Sequence, residues 1–234
     1  MTIAPILLRL KRSLVASAGT IVFGMEDGTV SIFGLIFGVA ATTSSTATVL
    51  IAGASGAAAA AVSMMAGAYL DAETTRDEMK ANRAHLQSNL ALKRGAITAS
   101  LSNRLAGLGL SPEQSAALTG AVQHDREALG GLLLALNASP EAPLNPWEQA
   151  LWMLLADFLA AAVPILPFVL LPIPQGRVVS AMVTSILLVV LGIGRAQIAK
   201  RSMVRTVLET VFVGIAAALA GIAIGVLVNH SFSG

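Results

Sequence analysis

Residues 14–41 read LVASAGTIVFGMEDGTVSIFGLIFGVAA, and Glu26 and Asp27 are the only charged side chains in the run. A helix needs about 20 apolar residues to cross a hydrocarbon core of roughly 30 Å, so this stretch is a membrane span interrupted by acid. It is too long for the apolar region of a secretory signal. The order is wrong as well, because Ile6 to Leu10 come with the basic Arg9, Lys11 and Arg12 and the long run follows them. Four more segments reach spanning length: about Thr48 to Leu70, Trp147 to Leu171, Val178 to Ile198 and Val207 to Val228. Thr42 to Thr46, uncharged and rich in Ser and Thr, turns the chain between the first two. The predicted fold class is an all-α integral membrane protein of five transmembrane helices, with a cytoplasmic helical insertion between helices 2 and 3. The predicted division is 1–70 for the N-terminal segment and helices 1–2, 71–146 for the insertion, and 147–234 for helices 3–5.

Composition agrees with residence in lipid. Hydrophobic residues are 55% and charged residues 12%, against about 25% charged in an average soluble domain. Aromatic residues are few and glycines number 21, which suits aliphatic helices packed closely. There is no cysteine, so disulfides, thiolate metal sites and cysteine nucleophiles are excluded. The basic residues flank apolar spans and form no patch interleaved with aromatics, so no nucleic-acid partner is expected. His85, His124 and His230 are isolated from one another, with Glu127 three residues from His124 the one ligand-type side chain at helical spacing, and all three read as surface residues. No nucleophile triad, phosphate loop or zinc motif is present, and no enzymatic activity or permanently bound cofactor is expected.

The insertion carries helix signals. Met79, Leu86, Leu90, Ile97, Leu101 and Leu105 recur at intervals of seven and four, which predicts one apolar stripe on a helix. Ser111-Pro112-Glu113-Gln114 is a capping box with proline at the first helical position, and Asn145-Pro146-Trp147-Glu148 repeats that logic where the third span begins.

Orientation follows from Lys and Arg. Arg9, Lys11 and Arg12 precede the first span. Arg76, Lys80, Arg83, Lys93, Arg94, Arg104 and Arg126 lie between the second and third. Arg195, Lys200, Arg201 and Arg205 lie between the fourth and fifth. With five spans these regions share one side, which leaves Arg177 alone on the other. The positive-inside rule predicts a cytoplasmic N-terminus and a C-terminus across the membrane. No cleavable targeting segment is visible, so the expected location is a bacterial plasma membrane, with a vacuole-like membrane as the alternative.

Asp27 lies about thirteen residues in from Leu14, near mid-membrane at ~1.5 Å per residue. A carboxylate there costs on the order of 2.5–3.5 kcal/mol and must be offset by a cation, a partner or a proton. Glu26 and Asp27 point about 100° apart and cannot both face one site. The two readings are an ion pathway and a protonated acid bonded to a neighbouring helix. Met64 and Met65, in Ser63-Met64-Met65-Ala66-Gly67, are either soft ligands for later transition metals or ordinary core filling. Asp157 and Glu209 are further membrane acids. Glu209 sits one turn from Arg205 and reads as an ion pair, whereas Asp157 has no local partner. Gly34-Gly38 and Gly221-Gly225 have small-xxx-small spacing and Gly53 with Gly56 is a further close-packing signal, for contacts within or between subunits. Pro164, Pro167, Pro172 and Pro174 predict a break or kink at the end of the third span.

Asp27 to Ala40 (DGTVSIFGLIFGVA) resembles the first helix of the vacuolar iron transporter family, and Ser63 to Leu70 (SMMAGAYL) resembles that family's second-helix signature. The helical insertion and the proline-rich third span resemble it too. The resemblance implies a homodimeric five-span exporter of Fe²⁺, and often Mn²⁺, exchanged against protons, with Asp27 and Met64 binding the transported metal. It implies a metal-collecting insertion as well; here the acids near the membrane are Glu73, Asp77 and Glu78. This chain departs from the family where many relatives carry acids, at Ala60 and Ala68. Glu26 is a candidate substitute and, with Met65, a candidate for the pathway. The alternatives to metal export are a non-transporting regulatory membrane protein of the same fold and a transporter of another cation.

Overall fold

The computed structural model describes residues 4–92, 94–137 and 145–232. Lys93 among the basic residues, and 138–144 at the end of the insertion, lie outside them, as does the side chain of Leu90 from the apolar stripe. The described residues form helices α1 (Ala4–Ala16), α2 (Ala18–Thr42), α3 (Thr46–Leu92), α4 (Arg94–Gly107), α5 (Pro112–Val122), α6 (Arg126–Asn137), α7 (Pro146–Leu170), α8 (Ile173–Ile198) and α9 (Met203–Phe232). Five of them, α2, α3, α7, α8 and α9, are long and apolar enough to cross a membrane.

Two of the span boundaries differ most from the sequence reading, and a third falls where it was expected. The first span is trimmed at its start, because Ser17 leaves helical geometry (φ −92°, ψ 7°) and α1 stands as a separate helix. The second-span helix does not stop where its hydropathy falls. It runs to Leu92 because no Gly or Pro interrupts residues 68–92 and the polar residues there are adequate helix formers. The third span ends where the proline-rich run predicts: α7 continues through Pro164 and Pro167, and the chain breaks at Leu171 and Pro172. Both prolines are buried against neighbouring helices, and the Ser180 hydroxyl of α8 donates to the Pro164 carbonyl at 2.8 Å. Such neighbours are what let a membrane helix tolerate proline.

The chain divides into two compact units, residues 1–72 with 144–234, and residues 73–143. In the first, α2 is the central helix. It meets α7 at Thr20 against Gln149, Gly24 against Met153 and Gly28 against Asp157. It meets α9 at Gly34 against Ala217 and Gly38 against Gly221. Residue numbers rise together in both sets, so α2, α7 and α9 run parallel. Gly53 and Gly56 of α3 meet Ile36 and Leu35 of α2, and Gly192 and Gly214 join α8 to α9 at Val207 and Leu188. Those pairs run in opposite senses, so α3 and α8 return across the layer.

The glycine contacts show why the small residues are needed. A Cβ on Gly38 would lie 2.6 Å from the Gly221 carbonyl oxygen, and one on Gly34 would lie 2.8 Å from that of Ala217. The two small-xxx-small motifs therefore pack against each other within one chain, where dispersion at close approach replaces a hydrophobic driving force. Around them Ile32, Ile36, Ala40, Val49, Ala57, Ala161, Phe168 and Ile173 form the core. Helix α1 is fastened to α7: the Arg9 guanidinium and the Ser13 hydroxyl donate to Glu148 at 2.8 and 3.0 Å, and the Trp152 indole donates to Ser13 at 3.0 Å.

The second unit has its own core of Leu101, Leu105, Leu129 and Leu133, flanked by Leu86, Ile97, Leu110 and Val122. The apolar stripe is thus shared between α3 and α4 and is not confined to one helix. Gly109 turns the chain after α4 at φ +92°, a backbone region that favours glycine. The capping box at Ser111 forms as read, with Gln114 N–H donating to Ser111 Oγ at 3.2 Å and Ser111 N–H donating to Gln114 Oε1 at 3.0 Å. Asn145 caps α7, accepting from Trp147 N–H at 3.2 Å.

Candidate functional site

Helices α2 and α7 contact each other every four residues, and a step of four keeps one face toward the neighbour. On α2 that face is small: Thr20, Gly24 and Gly28. On α7 it is Gln149, Met153 and Asp157. Gln149 Nε2 donates to Thr20 Oγ1 at 3.2 Å. The Met153 sulfur fills the space over Gly24, where a Cβ would come within 2.7 Å of it. At Gly28 a Cβ would run into the Asp157 backbone carbonyl. Glycine at 24 and 28 therefore admits a thioether and a carboxylate into the helix interface.

Asp157 is fully buried, and neither carboxylate oxygen has a hydrogen-bond partner among the described residues. Asp27, adjacent to Gly28, is partly buried and lies within electrostatic reach of Asp157. Its neighbour Glu26 is differently placed. Arg195 of α8 donates to both Glu26 oxygens at 2.9 and 3.2 Å, and the Thr210 hydroxyl of α9 adds a bond at 3.2 Å. The two successive acids thus diverge as the 100° helical step requires. Glu26 faces α8 and α9 and is neutralised there, while Asp27 and Asp157 have no cationic partner among the described residues.

One turn before Asp27 along α2, Phe23 forms part of the wall of a cavity of about 460 Å³ between α2, α3 and α7. Among its lining residues, Thr20, Met64, Asp71, Gln149 and Met153 are the ones that carry a polar or thioether group. Met64 lines this space; Met65 is partly buried and does not line it. The rings of Tyr69 and Trp147, 4.7 Å apart, join α3 to the start of α7 beside it.

The other sequence candidates lie apart. Glu209 pairs with Arg205 at 2.9 Å, as the four-residue spacing indicates. Glu73, Asp77 and Glu78 lie on the continuation of α3, where Asp77 pairs with Lys80 at 2.7 Å. The three histidines are exposed. Among the described residues no three His, Cys, Asp or Glu side chains converge to hold a metal. A cation within this chain would therefore need thioether, amide, hydroxyl or backbone oxygen ligands beside a carboxylate.

Sequence reading passed over Met153, Gln149, Asp71 and the Arg195 partner of Glu26. The first two had a signal, since Gln149, Met153 and Asp157 recur at i, i+4 and i+8 on a helix whose one other charged side chain is Glu148. Arg195 had none, being 169 residues from Glu26.

A model of the VIT family matches residues 18–226. The chain is similar to vacuolar iron transporter 1 of Arabidopsis thaliana, 26% identical over 213 residues, which covers 90% of this chain and 85% of the relative. It is similar to a vacuolar iron transporter of Centaurea cyanus, 26% identical over 204 residues, 86% of this chain and 83% of the relative. To vacuolar iron transporter 1 of Eucalyptus grandis it is 23% identical over 203 residues, 86% and 82% of the two chains.

Proposed function

Because the chain belongs to the VIT family, we propose that it carries divalent transition-metal cations, Fe²⁺ or Mn²⁺, out of the cytoplasm in exchange for protons. The relatives' names describe iron transporters, and the family is one of transporters and not of enzymes. The metal is cargo. The observation that carries the reading is Asp27: a partly buried carboxylate midway along a membrane helix, without a cationic partner among the described residues, beside a Glu26 that has one. A membrane acid left uncompensated is worth its cost when a cation or a proton visits it.

In this reading Asp27 supplies charge and exchanges the proton, and Met64 supplies a soft donor that disfavours Mg²⁺ and Ca²⁺. Glu26, fixed to Arg195, stands beside the pathway as a static part of the field, with Met65 behind Met64. Glu73, Asp77 and Glu78 are the acids that would bind the metal on the cytoplasmic side, outside the pathway itself. The chain works as a homodimer in lipid. Its membrane is a bacterial plasma membrane, with a vacuole-like membrane as the alternative that the relatives' names favour.

Proteoliposomes loaded with a metal-sensitive dye test this. Wild-type protein is expected to move Fe²⁺ or Mn²⁺ faster under a pH gradient. Asp27→Asn is expected to reduce transport to the level of empty liposomes while inserting normally. Undiminished transport by Asp27→Asn would remove the mechanism. Absence of metal-dependent binding heat in the wild type would favour the non-transporting reading, which the alanines at 60 and 68 motivate.

A further inference from the structure

We propose that the cavity between α2, α3 and α7 is a cation-loading site in which Met153 is a second thioether ligand facing Met64, and Asp71 is the charged ligand. The inference rests on the transport reading and deepens it by naming the donors and the class of cation they select.

Three observations carry it. Met64 from α3 and Met153 from α7 line the same cavity of about 460 Å³, which Asp71, Gln149 and Thr20 also line, the last two joined by a hydrogen bond of 3.2 Å. The Met153 sulfur is held in place, since it occupies the room that Gly24 leaves by lacking a Cβ, and Met153 is 5% exposed. No cluster of three His, Cys or carboxylate groups exists among the described residues, so the cavity's mixed thioether and oxygen set is the chemistry on offer.

Two thioethers with one carboxylate form a site of intermediate softness. Thioethers bind later or softer transition metals well and hard cations poorly, whereas carboxylate and amide oxygens accept both. The site is therefore selective for Fe²⁺, Co²⁺ and their softer neighbours over Mn²⁺, Mg²⁺ and Ca²⁺. Position adds order to the path. Phe23 in the cavity wall is one turn before Asp27, and Met153 is one turn before Asp157. A cation in the cavity thus stands one helical turn from the uncompensated carboxylates.

Methionine is also common core filling, and the test separates ligand from filler. Met153→Leu keeps the volume and apolarity and removes only the sulfur. The full-length protein in nanodiscs is titrated with Co²⁺ and Mn²⁺, and cobalt-edge X-ray absorption counts sulfur neighbours. For the wild type we expect two sulfur scatterers; for Met153→Leu, one, with Co²⁺ affinity falling about tenfold and Mn²⁺ affinity nearly unchanged. Asp71→Asn is expected to weaken both metals. Asp27→Asn is expected to keep the two-sulfur Co²⁺ signature while losing transport. Wild-type protein that transports metal with no sulfur in the cobalt shell, or a Met153→Leu protein with an unchanged Co²⁺ to Mn²⁺ ratio, overturns this site and leaves the transport reading standing. Wild-type protein that neither binds nor moves any divalent metal overturns both.

Discussion

At the residue scale, the adjacent acids of α2 show how one helical step separates two fates. Glu26 is 12% exposed in its side chain and meets Arg195 and Thr210. Arg195 is 41% exposed, so the pair is neither a surface bridge, worth at most about 1 kcal/mol, nor a sealed one, whose breaking costs about 3–5 kcal/mol. Glu26→Gln, which keeps the shape and removes the charge, is expected to cost an amount between those limits, about 1–3 kcal/mol. Thermal unfolding in detergent, with Arg195→Gln and the double variant completing a cycle, measures the coupling. Metal transport is expected to survive in Glu26→Gln and vanish in Asp27→Asn. Equal loss in both would mean that Glu26 is a ligand and not a static charge. The contrast was half legible beforehand. That the two acids diverge follows from helix geometry alone, but which of them meets a guanidinium depends on where α8 lies.

At the element scale, contacts in this bundle are decided by the residues that are missing. Gly38 and Gly221 bring the α2 and α9 backbones within reach of each other. Gly221→Val would drive a branched side chain into the Gly34 carbonyl, and overpacking of this kind costs about 1–3 kcal/mol. The expected result is a lower unfolding temperature for Gly221→Val. Gly131→Ala in α6, where a Cβ meets nothing within 4 Å, is expected to be neutral or stabilising by up to about 1 kcal/mol. A Gly221→Val protein as stable as the wild type would mean that α2 and α9 do not pack through these glycines. The motif was visible as a spacing in the sequence. Its partner was not, because the same spacing serves a contact within a chain or between two chains. The prolines of α7 teach the complementary lesson. Local rules place a break or kink among Pro164, Pro167, Pro172 and Pro174; only the tertiary structure decides that the helix runs on through the first two, where Ser180 donates to the Pro164 carbonyl, and stops at Pro172.

At the scale of the whole molecule, two units with separate cores share one continuous helix. Leu129 is fully buried in the second unit, among Leu101, Leu105 and Leu133. Leu129→Ala is expected to cost about 2–5 kcal/mol and to act within that unit alone. Hydrogen exchange is expected to accelerate in residues 94–137 and stay unchanged in α2, α7 and α9. Equal acceleration in both units would show that they unfold as one.

The number of membrane helices, the existence of a polar helical insertion and the presence of a costly acid at mid-span were set by the sequence alone. Each depends on a local property: the length of an apolar run against the thickness of lipid, the periodicity of leucines, the energy of a charge far from water. The pairing of Glu26 with Arg195, the meeting of the glycine motifs within one chain and the joining of Met64 to Met153 around a cavity were decided only by tertiary structure. Those contacts depend on which helices are neighbours and how each is rotated. When every face of a span is apolar, its own sequence specifies neither.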